Sequence, residues 1–399
     1  MGERAGGICR ILALVLLPIA GLILSVHAQA QIAVSGNDGE QPELGDKPSN
    51  PVADTVTILD LNVYPPKTIS TLAVPFSMIG EPTSVAVSHS GRFALVSSSQ
   101  KLDPADPSKF IPDDRISVID LTNPAKPAVI QTLSSGAGAT GISIDKRDRL
   151  ALVANVNEGS VAAFSIKDNV LTPAGKIQLE AKPGPVDVAI SPDNKTALVT
   201  QRYGTGIWRL SIDGARLTNT GIFIPTGGQS YGVQFSADGR YAYNTNLQGR
   251  LLPEGAERGT GPRIGTVTVI DLKTNSVVNT LDVGPTPEHL VLSPDGRFMS
   301  VTIVNGSSSK PDSRNFNPFG FVKVFRVEGP KLTQVAEARI GRWGQGATWS
   351  KDGRLILQQA AIERVIEVFR FDGKSLVRDM DATIKLPGRP GALATSLSR

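Results

Sequence analysis

LVLSPDGRFMSVTIV, residues 290–304, decides the fold. An alternating apolar run enters Ser293-Pro294-Asp295-Gly296 and a second alternating run leaves it, the pattern of two antiparallel strands joined by a tight turn. Proline presets φ at the second turn position, the aspartate side chain can bond the turn amides, and glycine takes the φ > 0 position closed to most residues. The phrase recurs as VAVSHSGRFALV from Val85, ISIDKRDRLALV from Ile142, VAISPDNKTALV from Val188, VQFSADGRYAYN from Val233 and ATWSKDGRLILQ from Ala347, with a half copy, LATSLS, from Leu393.

A third run of common shape follows each hairpin: VTILDL at Val56, ISVIDL at Ile116, VAAFSI at Val161, IWRLSI at Ile207, VTVIDL at Val267, VKVFRV at Val322 and IEVFRF at Ile366. A weaker fourth strand is expected over residues 128–133, 177–179, 276–281 and 333–340. Four antiparallel strands at a period of roughly 45 to 60 residues describe a β-propeller blade. VTILDL stands at the start without a hairpin of its own, and LATSLS stands at the end as a first strand with nothing after it. Joining them makes a seventh blade, so the expected fold class is all-β: a seven-bladed propeller of four-stranded antiparallel blades. Its ring is closed by N- and C-terminal strands sharing one blade, which hides the strand edges.

ALVAN at residues 151–155 with SVAAFSI at 160–166, and SPDGR with VTVIDL, resemble the YVTN-repeat seven-bladed propellers, which share their fold with lactonase-like propellers. The resemblance spans nearly all of residues 55–399 and rests on turn and strand chemistry, so it speaks to fold more than to function. It implies that a lactonase-like hydrolase is one activity this scaffold can carry. Families that dock one tryptophan per blade fit less well, because the chain has three Trp in all.

Ahead of the repeats, Arg4 and Arg10 bracket a polar start, residues 11–24 are almost wholly apolar, and Ala28-Gln29-Ala30 offers a small-residue cleavage site. Residues 1–30 therefore read as a signal peptide, residues 31–54 as a flexible leader whose short apolar patch Ile32 to Val34 could alternatively pair with a sheet edge, and residues 55–399 as one propeller domain, periplasmic or secreted, with no stable membrane anchor. The single cysteine, Cys9, lies within that signal, which excludes disulfides, thiolate metal sites and a cysteine nucleophile from the exported chain. Only His89 and His289 remain beyond it, a poor set for zinc. No cofactor is expected, with oxygen-ligated calcium left open. A net charge of +4 over 399 residues, without a basic run, gives no case for nucleic acid. A monomer is expected.

In a propeller the links entering the inner strands share a face with the links between second and third strands. On that face the candidate ligand-binding residues are Glu81, Thr140, Asp187, Gln229, Tyr231, Glu288, His289, Trp343, Gln345 and Arg389, with Thr83 beside them. Glu288, His289 and Arg389 are the catalytic candidates, since an imidazole can act as a base and a carboxylate can orient it. Adjacent strand residues point to opposite faces, so only one of Glu288 and His289 is expected to face the channel. Three long connections, residues 97–115, 245–265 and 305–320, are expected to overhang the same face. The first carries Asp103, Asp106, Asp113 and Asp114. Two tempting motifs run into strands rather than helices: Gly228-Gln229-Ser230-Tyr231-Gly232, a GxSxG match, and residues 136–141, a GxGxxG match.

The leading expectation is a propeller that binds a small-molecule ligand or a protein partner through its channel mouth and three long loops, without catalysis. A lactonase-like hydrolase with a carboxylate-lined axial site, and a propeller scaffold for a periplasmic redox partner, are the alternatives.

Overall fold

The fold was taken from a computed structural model that describes residues 1–2, 31–48, 50–179, 182, 184–250 and 263–396. From residue 3 onward, the expected signal peptide lies outside the described residues. The chain forms seven four-stranded antiparallel sheets and one separate two-stranded hairpin. Numbering blades from the first complete hairpin, the inner strands are Val85–Val87, Ala139–Ile144, Pro185–Ile190, Ser230–Phe235, Pro287–Leu292, Gly344–Trp349 and Arg389–Thr395. Each inner strand packs on the next, and the last packs on the first, so the ring is closed.

The repeating turn shows why the sequence phrase is so regular. In Ser293-Pro294-Asp295-Gly296 the serine hydroxyl donates to Asp295 Oδ1 at 2.6 Å, and that oxygen also accepts the Arg297 N–H at 3.0 Å. Ser293 Oγ in turn accepts the Phe298 N–H at 3.0 Å, and Gly296 sits at φ 69. The same bonds recur around Ser191, Ser236 and Ser350. Side-chain oxygens thus satisfy the turn amides that the strands leave unpaired.

Apolar side chains pack between blades. Leu95, Ile116 and Val118 of blade 1 meet Ile142, Val153 and Phe164 of blade 2, and Val322, Val324 and Ile340 of blade 5 meet Trp349, Ile356 and Phe369 of blade 6. The core is therefore divided among blade interfaces, which lets one unit exceed the usual domain size.

The closing blade corrects the reading of residues 31–54 as a flexible leader. Ile32–Asp38 is a fully buried strand lying between Thr55–Asp60 and the C-terminal Arg389–Thr395, with Lys67–Ala73 outermost. Polar Ser35, Asn37 and Asp38 obscure its apolar periodicity, yet all three are buried and bonded. Because Ile32–Asp38 is a second strand and Thr55–Asp60 a third, the link between them is a fourth long second-to-third connection on the variable face.

Candidate functional site

The variable face is built by a recurrent irregularity. In blades 2 to 6 the pairing between inner and second strands skips a residue at its start, as between Pro185 and Val188 or Pro287 and His289. A one-residue β-bulge there redirects side chains that a regular strand would send alternately left and right. Thr140, Asp187, Tyr231, Glu288 and Gln345 all lie within these bulges. The expectation that only one of Glu288 and His289 can face the axis was drawn from regular alternation, and the bulge removes its basis.

The axis is not an open, solvated mouth. After the outermost strand of the closing blade, residues 74–83 run inward and deliver Glu81 and Thr83 to the centre. His289 Nδ1 and Glu81 Oε1 are hydrogen bonded at 3.0 Å, while Nε2 lies 3.3 Å from the Ala347 carbonyl. Thr83 donates its hydroxyl to Asp187 Oδ1 at 2.8 Å, and Asp187 also accepts the N–H groups of Val188 and Val233 at 2.9 and 3.0 Å. All four of these polar side chains are buried. Gly232 permits the approach: a Cβ there would stand 2.8 Å from Glu81 Oε1. The four residues thus tie blades 1, 3, 4 and 5 together across the channel.

Around this plug lies a second group with unused hydrogen-bonding capacity. Gln345 Nε2 donates to Glu288 Oε2 at 2.7 Å. Gln345 Oε1 is buried without a partner among the described residues, Glu288 is half-buried, and Tyr231 is buried. Burial pushes the Glu288 carboxyl up to about 7, against the lowering effect of Gln345 and of the Arg202 charge, with the Glu81 charge adding to the rise. Burial also raises Tyr231, which feels Arg202, Glu288 and Glu81. Arg202 is a residue that sequence reasoning missed. It occupies a short second-to-third link of blade 3, QRYGT at residues 201–205, where a cation and an aromatic ring in so tight a turn were the available signal. Its guanidinium lies 5.5 Å from the Tyr203 ring centroid.

The remaining candidates lie elsewhere. Thr140 is buried with its hydroxyl unpartnered, close against Gly80. Gln229 is half-buried at φ 55, its main chain pinned by Gly204. Trp343 packs in the apolar cluster containing Phe76 and Met78. Arg389 donates from Nε to the Gln41 carbonyl at 3.0 Å and from Nη1 to that of Ala361 at 3.4 Å, not to Glu288 or His289. Ser230 of the GxSxG match is buried within an inner strand.

The long connections interlock on this face. Glu40 Oε2 accepts the Leu102 N–H at 3.1 Å, Gln100 donates to Gln41 at 3.0 Å, and Lys310 pairs with Asp46 at 2.5 Å. The 39–54 link therefore bridges the 97–115 and 305–320 connections. Most of the 245–265 connection, including Glu254, Glu257 and Arg258, lies outside the described residues. In the 97–115 connection the acids are engaged separately: Asp106 with Lys109, Asp113 with Arg115 and Lys101, and Asp114 with Ser134. Among the described residues no group of three or more ligating side chains converges as a metal site.

A buried acid, Asp38, and a half-buried one, Asp54, anchor the bridge. Asp38 accepts the Glu40, Gln41 and Met78 N–H groups, and Asp54 accepts those of Gly39 and Phe76. Burial pushes Asp38 up to about 6 and Asp54 up to about 7, the Asp38 charge adding to the latter. The unfolded chain releases both protons near pH 4 while the folded chain keeps them longer, so stability falls as pH rises from about 4 to 7. Urea midpoints measured across that range should decline, with Asp54 contributing about 3 kcal/mol, and Asp54→Asn should flatten the decline. An unchanged profile in the variant would remove Asp54 as the cause.

No family model and no curated protein sequence matches the chain. Solved structures do. A candidate 6-phosphogluconolactonase from Bacteroides fragilis superposes with a TM-score of 0.69 at 17% identity, covering 93% of this chain and 99% of that one. The periplasmic gluconolactonase of Pseudomonas aeruginosa gives 0.67 at 17% identity, covering 92% and 99%. Hydrazine synthase of Kuenenia stuttgartiensis gives 0.59 at 15% identity, covering 80% and 90%. The likeness is one of fold. One neighbour is named a gluconolactonase and another a hydrazine synthase, so function has to come from the site.

Proposed function

We propose that the chain binds a small hydroxylated molecule on the variable face, at Glu288, Gln345 and Tyr231. The observation that carries this is the buried Gln345 Oε1, without a partner among the described residues, next to the half-buried Glu288 carboxyl that Gln345 Nε2 bonds and near the buried Tyr231. Buried polar atoms left unpaired cost free energy that a ligand's hydroxyl groups would recover. Export with cleavage after Ala30 is proposed from the leader sequence, and an intact mass beginning at Gln31 would support it.

A second reading, lactone hydrolysis, is favoured by the Glu288 carboxyl. An acid that titrates near neutrality suits general acid–base work. A water oxygen would bond to the lactone carbonyl carbon as Glu288 takes its proton. The ring C–O bond would then break, and Glu288 would return the proton to the leaving oxygen. Arg202 and Gln345 would orient the substrate.

Titration calorimetry with gluconate and pH-stat assays with glucono-1,5-lactone test both readings. Binding should weaken at least roughly tenfold in Glu288→Gln, the loss of one charge-assisted hydrogen bond. Gluconate bound equally well by the variant would overturn the site. If wild-type chain does not accelerate hydrolysis over buffer, the catalytic reading falls and binding stands alone.

A further inference from the structure

We propose that a separate anion site lies beside that one, between the 39–54 link and blades 6 and 7, and takes the phosphate or carboxylate group of a small molecule. It does not share residues with the Glu288 site. The cavity measures about 470 Å³ and is walled by Glu40, Gln41, Glu43, Asp46, Arg364 and Arg389, with Lys47 on the rim.

The count of charges conceals an imbalance. Each acid is turned to a partner: Glu40 to the Leu102 N–H at 3.1 Å, Glu43 to Arg342 at 3.5 Å, and Asp46 to Lys310 at 2.5 Å. The two arginines have no such match. Arg364 is exposed, sits at φ 57 in the tight turn of blade 6, and its guanidinium makes no hydrogen bond or ion pair among the described residues. Arg389 is only 8% exposed, donates to two main-chain carbonyls, and makes no hydrogen bond from Nη2 among the described residues. Burial pushes the Arg389 guanidinium down, the Arg364 charge acts in the same direction, and the Glu43 and Asp38 charges oppose it. A buried guanidinium beside a second unpaired one, facing one cavity, has no hydrogen-bonded counter-ion among the described residues, and an anion presenting two oxygens is the chemistry that pairs with it.

The test is calorimetric titration of the full chain with inorganic phosphate and, separately, with succinate, at constant ionic strength set by chloride. Saturable one-site binding of either anion is expected, and which one binds assigns the group. Arg364→Gln, a change at an exposed side chain, should weaken binding at least roughly tenfold. Arg389→Lys should weaken it less, because the charge remains while the fork is lost. Glu288→Gln should leave it unchanged, which separates this site from the one proposed above. Failure of both anions to saturate, wild-type affinity in Arg364→Gln, or an equal loss in Arg297→Gln on the opposite face would each overturn the proposal.

Discussion

A chain that begins at Thr55 will not form the closed ring, whereas one that begins at Gln31 will. The shorter chain lacks Ile32–Asp38, whose seven residues are all buried and which pairs with one strand on each side. Its loss leaves Arg389–Thr395 with no partner within the blade and bares the inner edge of Thr55–Asp60. Val34 also leaves the packing between blades 7 and 1, and Ala33 that between blades 6 and 7. An uncovered strand edge recruits other chains. Thermal melts followed by circular dichroism should be cooperative for the longer chain and broad for the shorter, with the shorter eluting as aggregate on size exclusion. Equal melting temperatures would show that the strand contributes nothing.

Asp187→Ala is expected to cost about 4 kcal/mol of unfolding free energy, the sum of stranded buried donors and a lost charged acceptor. Three donors from three different blades end on its carboxylate: Thr83, Val188 and Val233. Asp187→Asn keeps one acceptor oxygen but turns an amide toward a main-chain N–H, so its cost should fall between wild type and alanine. Urea unfolding would read both. A cost below about 1 kcal/mol for alanine would mean that water satisfies those donors and that the axial plug holds little.

The fold was legible because the turn phrase states its own geometry. Serine, aspartate and glycine at fixed offsets are required by the bonds they make, so seven-fold repetition and ring closure could be read from residues such as Ser293, Asp295 and Gly296. Ile32–Asp38 was legible only as the short apolar patch Ile32 to Val34, the secondary reading of a segment taken for a leader. Besides its sequence neighbour it pairs with the distant C-terminal strand, and its buried polar residues mimic a linker. The candidate residues were found by position, since every inner strand exposes its first residues to the same face. Their grouping was not, because it depends on two things that period-two alternation hides: the β-bulges ahead of Val188, Val233 and His289, and the path that carries Glu81 across the axis. Arg389 shows the same limit. It occupies the equivalent position in blade 7, yet the 39–54 link draws it to Gln41.

The pairing of Ala33 with Thr395 also orders events in time. Six blades consist of strands consecutive in sequence, interrupted in blade 1 by the small hairpin, and each can assemble as soon as it is synthesised. The seventh cannot: its first three strands emerge at the outset and must wait, edge uncovered, until the final strand arrives. Drawing the two ends together costs about 5 kcal/mol in loop-closure entropy, which the already stacked blades reduce by holding the ends close. A chain stalled short of Arg389 holds the strands of six blades and a seventh with an open seam.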